Sequence, residues 1–145
     1  MAYVHTAVLA LHVLFAAAWF GLGLALPALS RAAVAGGAPG GGRVVTMMTA
    51  SVLLFYAFAV LNWTIGMQIG YELQYNAWPY HTSLTLGLVL VAVQLLLIRP
   101  GWKKLTGGAD TAEAGRKRIS MGIGIGHLTW LVIFALMYVG RGAIG

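Results

Sequence analysis

The sequence contains no cysteine. This absence excludes disulfides, iron–sulfur clusters, thiolate-bound metals, covalent attachment of a c-type haem and a cysteine nucleophile. Acidic residues are nearly as scarce, because only three of the 145 residues are Asp or Glu and none of the three falls inside an apolar segment. The sequence therefore argues against carboxylate-assisted metal hydrolysis and against a proton pump, which needs an ionisable relay within the membrane.

Charge as a whole is also sparse. Charged residues make up 8% of the chain and hydrophobic residues 60%, whereas soluble domains carry about 25% charged residues. Four apolar segments without the alternation of barrel strands each approach the roughly 20 residues that cross a bilayer. We predict one domain, an all-α integral-membrane four-helix bundle with spans at about 3–29, 44–70, 79–98 and 118–139. The first apolar segment follows no basic n-region, so we expect it to be a retained span and not a signal peptide.

The basic residues are distributed unevenly between the two sides of this bundle. Only Arg141 follows the fourth span, and eight of the nine Lys and Arg residues lie in or beside the first and third linkers. By the positive-inside rule those linkers are cytoplasmic, so both termini and the aromatic turn 71–80 are external. We predict a bacterial cytoplasmic membrane protein with periplasmic termini. Because topology explains the net charge of +6, we predict no nucleic-acid binding.

The four histidines are the main candidates for chemistry. His5 and His12 lie seven residues apart and so share one helix face, about 10 Å apart along the axis. His5 and His81 fall at the outer interface, His12 about a third of the way into the membrane, and His127 nearer its middle. A histidine inside the membrane needs a partner, which is either a functional ligand or a neighbouring carbonyl or hydroxyl.

Haem b suits these histidines best. Neutral imidazole is its common ligand, and helical bundles hold cofactors between facing helices. We predict that His12 and His127 are the metal ligands, that His81 and His5 are further cofactor contacts, and that Arg141 holds a propionate. Bacteriochlorophyll, which also takes a single histidine among small residues, is an alternative. Copper is disfavoured because the six methionines are scattered.

Two other features indicate contacts between helices. Gly66–Gly70 and Gly122–Gly126 have the G-x-x-x-G spacing that lets helix backbones approach closely in lipid. Asn62 lies in the outer half of the second span. We interpret it first as an interhelical hydrogen-bonding residue; the alternative is that it lines a site with His5, His12 or His81.

The first span carries Leu11-His12, Trp19-Phe20-Gly21-Leu22 and Leu26-Pro27. This pattern resembles the first helix of HemJ-type protoporphyrinogen oxidases and, more loosely, the membrane domain of copper-resistance protein D-like proteins. The resemblance implies a four-span bundle and a haem ligated by His12. The family's lysine after the third-helix histidine has no counterpart here, since Thr82 and Ser83 follow His81. The family's C-terminal Asn-Glu-Val-Pro and Lys-Pro elements are missing as well.

Together these observations predict a small b-type, cytochrome-like protein or subunit that transfers electrons in the outer half of the membrane. With almost no mass outside the bilayer, it is expected to join a larger membrane complex or to form a homo-oligomer. The alternatives are a non-enzymatic accessory subunit of a respiratory or photosynthetic complex and a HemJ-like porphyrinogen oxidase. The sequence leaves open whether the protein is an enzyme.

Overall fold

The computed structural model describes residues 1–37 and 40–142. This part of the chain is helical almost throughout and contains no strand. A π-helical turn, Gln94–Ile98, joins the fourth helix to the fifth without a break. The helices are α1 (Ala2–Val34), α2 (Gly41–Gln68), α3 (Glu72–Tyr75), α4 (Trp78–Val93), α5 (Arg99–Thr106) and α6 (Ala109–Gly142).

Four of these helical stretches are long and apolar enough to cross a membrane. They are α1, α2, the continuous stretch Trp78–Thr106 and α6. The predicted all-α bundle with four apolar spans is thereby confirmed, and its apolar outer surface fits contact with a lipid bilayer. We call the end of the bundle that holds Met1, α3 and Arg141 the terminal end. The opposite end, with the α1–α2 and α5–α6 connections, is the linker end.

The helices extend further than the apolar segments. Residues 99–117, which lie between the third and fourth predicted spans, contain α5 and the first turns of α6. Pro100 does not interrupt the helix because it lies in the first turn of α5, just after the π turn, where its missing N–H is tolerated. Once a helix is nucleated, polar residues extend it at little cost.

The glycine pairs behave differently from each other. Gly122 and Gly126 are buried on α6, and a Cβ on Gly126 would lie 2.5 Å from the Trp19 ring. This pair therefore serves helix packing, as predicted. In the other pair, Gly66 lies under the ring of Tyr75, whereas Gly70 has a positive φ of 99° just after the end of α2. Gly70 is a helix-terminating residue and not a packing position.

Gln94, the first residue of the π turn, is fully buried and ties three helices together. Its Oε1 accepts a hydrogen bond from Trp19 Nε1 at 3.0 Å, and its Nε2 donates to Thr49 Oγ1 at 3.0 Å and to the carbonyl of Val45 at 3.3 Å. A buried polar group in lipid has no water to bond with. These bonds therefore fix the register of α1 and α2 against the third span.

We predict that Gln94→Leu destabilises the bundle by about 1–3 kcal/mol, because it leaves the Trp19 N–H buried without an acceptor. Unfolding in detergent with added denaturing surfactant measures the change. Gln68→Leu, an exposed site at the end of α2, is the matched control and should change stability little. If the hydrogen bond matters, Trp19→Phe and Gln94→Leu will be non-additive in a double-mutant cycle. Strict additivity would contradict the link.

Candidate functional site

A cavity of about 840 Å³ occupies the terminal end of the bundle. Residues of α1, α2, α4 and α6 form its walls, and Tyr71, Gln74 and Tyr75 form its roof around α3. The lining is largely apolar and aromatic, with polar groups gathered near the roof. It has the character of a small-molecule site, namely a mostly apolar space with a few placed polar groups.

Below the cavity, α1 and α6 are in close contact. Trp19 covers Gly126, Phe20 stacks on His127 with ring centroids 4.3 Å apart, and Trp130 Nε1 donates to the carbonyl of Ala16 at 3.0 Å. Apart from Ala17, the cavity-lining residues of α1 and α6 lie at or beyond the Ala16–Trp130 contact, toward the terminal end.

The cavity opens sideways between these two helices. Val13 of α1 is 57% exposed, and Phe134 and Tyr138 of α6 are 62% and 78% exposed, yet all three line the cavity. In a membrane this side of the bundle faces lipid, because both helices are long enough to span. An apolar molecule dissolved in the bilayer therefore has a lateral route into the site.

His12 is buried, and its ring geometry determines its tautomer. Its Nδ1 lies 3.1 Å from the carbonyl oxygen of Phe55, and its ring stacks on the Phe55 ring at 4.7 Å. A carbonyl only accepts hydrogen bonds, so Nδ1 carries the hydrogen and Nε2 keeps a free lone pair. Metal-binding histidines are oriented by the same kind of bond from the second ring nitrogen. His12, which lines the cavity, is thus prepared to act as a ligand through Nε2.

The roof of the cavity is a short hydrogen-bonded chain. Asn62 Nδ2 donates to the Tyr75 hydroxyl at 2.9 Å, and that hydroxyl lies 3.0 Å from His5 Nε2. The Tyr75 hydroxyl therefore accepts from Asn62 and is also hydrogen-bonded to His5, linking α2 to α1 through α3. Asn62 is 6% exposed, and its Oδ1 has no hydrogen-bond partner among the described residues. An unmet buried acceptor beside a cavity is a feature that a bound molecule would explain.

The Tyr75 phenol of the roof is neutral at ordinary pH. Burial raises the pKa of the Tyr75 phenol above its usual value, and the hydrogen bond from Asn62 only partly opposes this. Gln74 Nε2 donates to the Tyr80 hydroxyl at 2.6 Å, which holds a second phenol beside Tyr75. Arg141 is exposed where it lines the cavity. It supplies a positive charge at the mouth of the site.

The five residues predicted from sequence divide into two groups. His5, His12 and Arg141 line the cavity. His81 is exposed and meets the edge of Trp63 at 6.3 Å, outside the cavity lining. Among the described residues, no group of three or more histidine or acidic side chains is arranged to hold a metal ion.

His127 lies below the cavity. Its ring stacks on Phe20 of α1. Phe20 follows His12 by eight residues, so His127 lies about 12 Å further along α1 than His12. Its Nε2 is buried without a partner in the described structure, and a Cβ on Gly23 would lie 2.6 Å from that atom. The structure therefore does not bring His12 and His127 to one cavity, and their pairing on one haem stays a prediction.

Sequence reasoning missed the role of Tyr75. The turn 71–80 is rich in aromatic residues, and its pattern is that of an interfacial belt, in which no single ring is distinguished. Only the fold shows that Tyr75 is 5% exposed and lies over Gly66. The G-x-x-x-G spacing does not show that Gly66 packs against the ring of Tyr75. Asn62 does make a hydrogen bond between elements and also lines the cavity with His5 and His12.

Comparison with known proteins gives no relative from which a role could be transferred. The chain matches no protein-family model, no curated protein and no solved structure. The functional argument therefore depends on the cavity and its residues.

We predict that the Tyr75 phenol ionises at higher pH than the exposed tyrosines, because burial favours its neutral form. Since the folded-state pKa is raised, the stabilisation from this group is complete below about pH 10 and is lost as the pH rises through the folded pKa. Phenolate absorbance during alkaline titration measures it. Tyr75→Phe should remove a late step from this titration. Loss of an early step in Tyr75→Phe would contradict the roof geometry.

Proposed function

We propose that this protein binds haem b in the cavity at the terminal end, where His12 Nε2 would ligate the iron. The observation that carries the proposal is the His12–Phe55 hydrogen bond, which leaves a lone pair on Nε2 of a histidine that lines the cavity. The volume of about 840 Å³ lies within the roughly 300–1,000 Å³ of sites that enclose small molecules.

The walls support a flat, amphipathic ligand. Phe55, Trp130, Ile133 and Phe134 provide apolar and aromatic surface beside His12. The polar groups lie at the roof, at the level of His5. His5 precedes His12 by seven residues on α1, which is a rise of about 10 Å. A porphyrin with its ring against the walls would direct its carboxylates toward this roof and Arg141. When bound, haem would supply one-electron redox chemistry.

The residues of the chain have separate tasks in this proposal. The Phe55 carbonyl keeps His12 in the Nε2-ligating tautomer, and the Phe55 ring restricts rotation of the imidazole. The apolar walls exclude water from the ligand. Arg141 would attract one carboxylate at the mouth of the site, and Asn62 Oδ1 would accept a hydrogen bond from a second carboxyl group in its protonated form.

We further propose electron transfer in the outer half of a bacterial cytoplasmic membrane, with periplasmic termini. The charge asymmetry of the linkers supports this orientation. Because nearly all of the described chain is helix of membrane-spanning length, the electron donor and acceptor would come from a larger membrane complex or from a second copy.

The lateral opening favours one second candidate. A cleft between α1 and α6 would admit an amphipathic porphyrinogen from the bilayer, as a HemJ-like oxidase requires. Against it, Thr82 and Ser83 follow His81 where that family has a lysine. The oxidase reading therefore ranks below haem binding.

We predict that the protein purified from membranes of haem-supplied cells has a Soret band that is lost, or strongly reduced and shifted, in His12→Ala. His81→Ala, an exposed histidine outside the cavity, is the matched control and should keep the band. Arg141→Gln should retain haem but weaken its binding, because an exposed charge pair contributes only about 0–1 kcal/mol.

The same spectra discriminate among the alternatives. An unchanged band in His127→Ala identifies His12 as the sole histidine ligand of this pair, whereas loss of the band in both variants restores the His12–His127 pairing. A band at bacteriochlorophyll wavelengths would change the pigment assigned. Absence of any pigment from the native protein in its membrane would contradict the proposal and favour the accessory-subunit alternative.

Cysteine labelling tests the proposed orientation. The chain has no cysteine of its own, so only an introduced cysteine can react. Asn76→Cys, in the exposed turn, should react with a membrane-impermeant maleimide in intact cells with a permeabilised outer membrane. Lys104→Cys, exposed at the linker end, should react only after the cytoplasmic membrane is opened. The reverse pattern would overturn the proposed periplasmic termini.

A further inference from the structure

A second depression lies at the linker end, away from the cavity proposed to bind haem. It has a volume of about 480 Å³ and runs between α2 and the start of α5. We propose that this groove binds one anionic glycerophospholipid, with the headgroup at its basic end and an acyl chain along α2. The residues that carry the argument are Thr46, Ala50, Leu53, Arg99, Trp102 and Lys103.

The basic end of the groove is formed by Arg99 and Lys103. They lie four residues apart on one helix, so their side chains share a face. Both are exposed, and neither takes part in an ion pair within the described residues. Glu113, an acidic residue of the same end, is bonded to Arg116. Two unneutralised cations at a membrane interface attract an anionic headgroup, and basic pockets between spanning helices bind such lipids.

Trp102 gives this end its shape. Its ring covers Gly41, at the start of α2, so closely that a Cβ at that position would overlap it, and a Cβ on Gly42 would lie 3.7 Å from Trp102 Nε1. The indole is thus held against the start of α2, at the linker end of the groove. A ring with an apolar body and a polar N–H suits the headgroup level of a bilayer.

The remainder of the groove is apolar and elongated. Its lining follows α2 from Gly42 to Leu53, a rise of about 16 Å. The hydroxyls of Thr46 and Thr49 donate back to their own helix, to the carbonyls of Gly42 and Val45, both at 2.9 Å. These hydroxyls therefore do not offer hydrogen atoms to a ligand. Ala50 is small, which leaves space that an acyl chain can fill.

Charge at one end and a long apolar wall beyond it match a phospholipid better than a free phosphate ion. A phosphate would use only the Arg99–Lys103 end, whereas a lipid would occupy the whole groove. The proposal does not depend on haem binding, because none of these residues lines the cavity at the terminal end.

The test uses the full-length protein in lipid nanodiscs with brominated acyl chains, which quench tryptophan fluorescence on contact. The contribution of Trp102 is the difference between the native protein and Trp102→Phe. We expect brominated phosphatidylglycerol to quench this contribution at a mole fraction several-fold lower than brominated phosphatidylcholine. The double variant Arg99→Gln with Lys103→Gln should abolish that preference, so that the two lipids quench at nearly equal mole fractions, because both cations that attract the anionic headgroup are lost.

Lys104→Gln with Lys117→Gln is the matched control, since it removes the same charge from exposed sites at the same end but outside the groove. It should keep the preference. Ala50→Phe fills the apolar half at an exposed position while both cations stay, and it should lower quenching by phosphatidylglycerol. Equal quenching by the two lipids, equal loss in the control pair, or complete displacement by inorganic phosphate would each overturn the proposal.

Discussion

The contact of Trp19 with Gly126 and Gln94 sets the arrangement of the whole bundle. The Trp19 ring occupies the space that a side chain at position 126 would need, and its N–H donates to a fully buried glutamine. In lipid the hydrophobic effect does not drive helices together. The helices therefore associate where glycine allows close packing and where buried polar groups can form hydrogen bonds. α1 and α6 are held together at this level, and the cavity lies beyond it toward the terminal end, among residues of α1, α2, α4 and α6.

Polar groups at the terminal end follow the same constraint. His12 satisfies Nδ1 with the Phe55 carbonyl, and Tyr75 joins Asn62 to His5. Two atoms at this end, Nε2 of His12 and Oδ1 of Asn62, take part in none of these hydrogen bonds and can still accept one. Leftover hydrogen-bonding capacity within an apolar cavity is the feature that distinguishes a site from a packing defect. The haem proposal depends on this arrangement of hydrogen bonds.

Much of the architecture could be predicted because membrane spans are specified by local composition. The four apolar segments, the helical state and the packing role of Gly126 follow from length, hydropathy and spacing. The continuation of helix through Pro100 could not be predicted, because it goes with a π turn just before the proline, in which the Arg99 N–H donates to the carbonyl of Gln94, and the sequence pattern does not show that turn. The relative positions of His12 and His127 were equally inaccessible. Counting residues gives depth to about one helical turn, but it does not give rotation or tilt.

The sequence by itself determined that this is a four-helix membrane protein whose histidines include two within the spans, since lipid demands apolar length and makes buried imidazoles conspicuous. Tertiary structure decided which of them share a site. His5, His12 and Arg141 line one cavity, and His127 packs on Phe20 below it. The physical reason is that a side chain's partners depend on how helices rotate and cross. That geometry is set by contacts such as Trp19 on Gly126 between residues more than 100 positions apart.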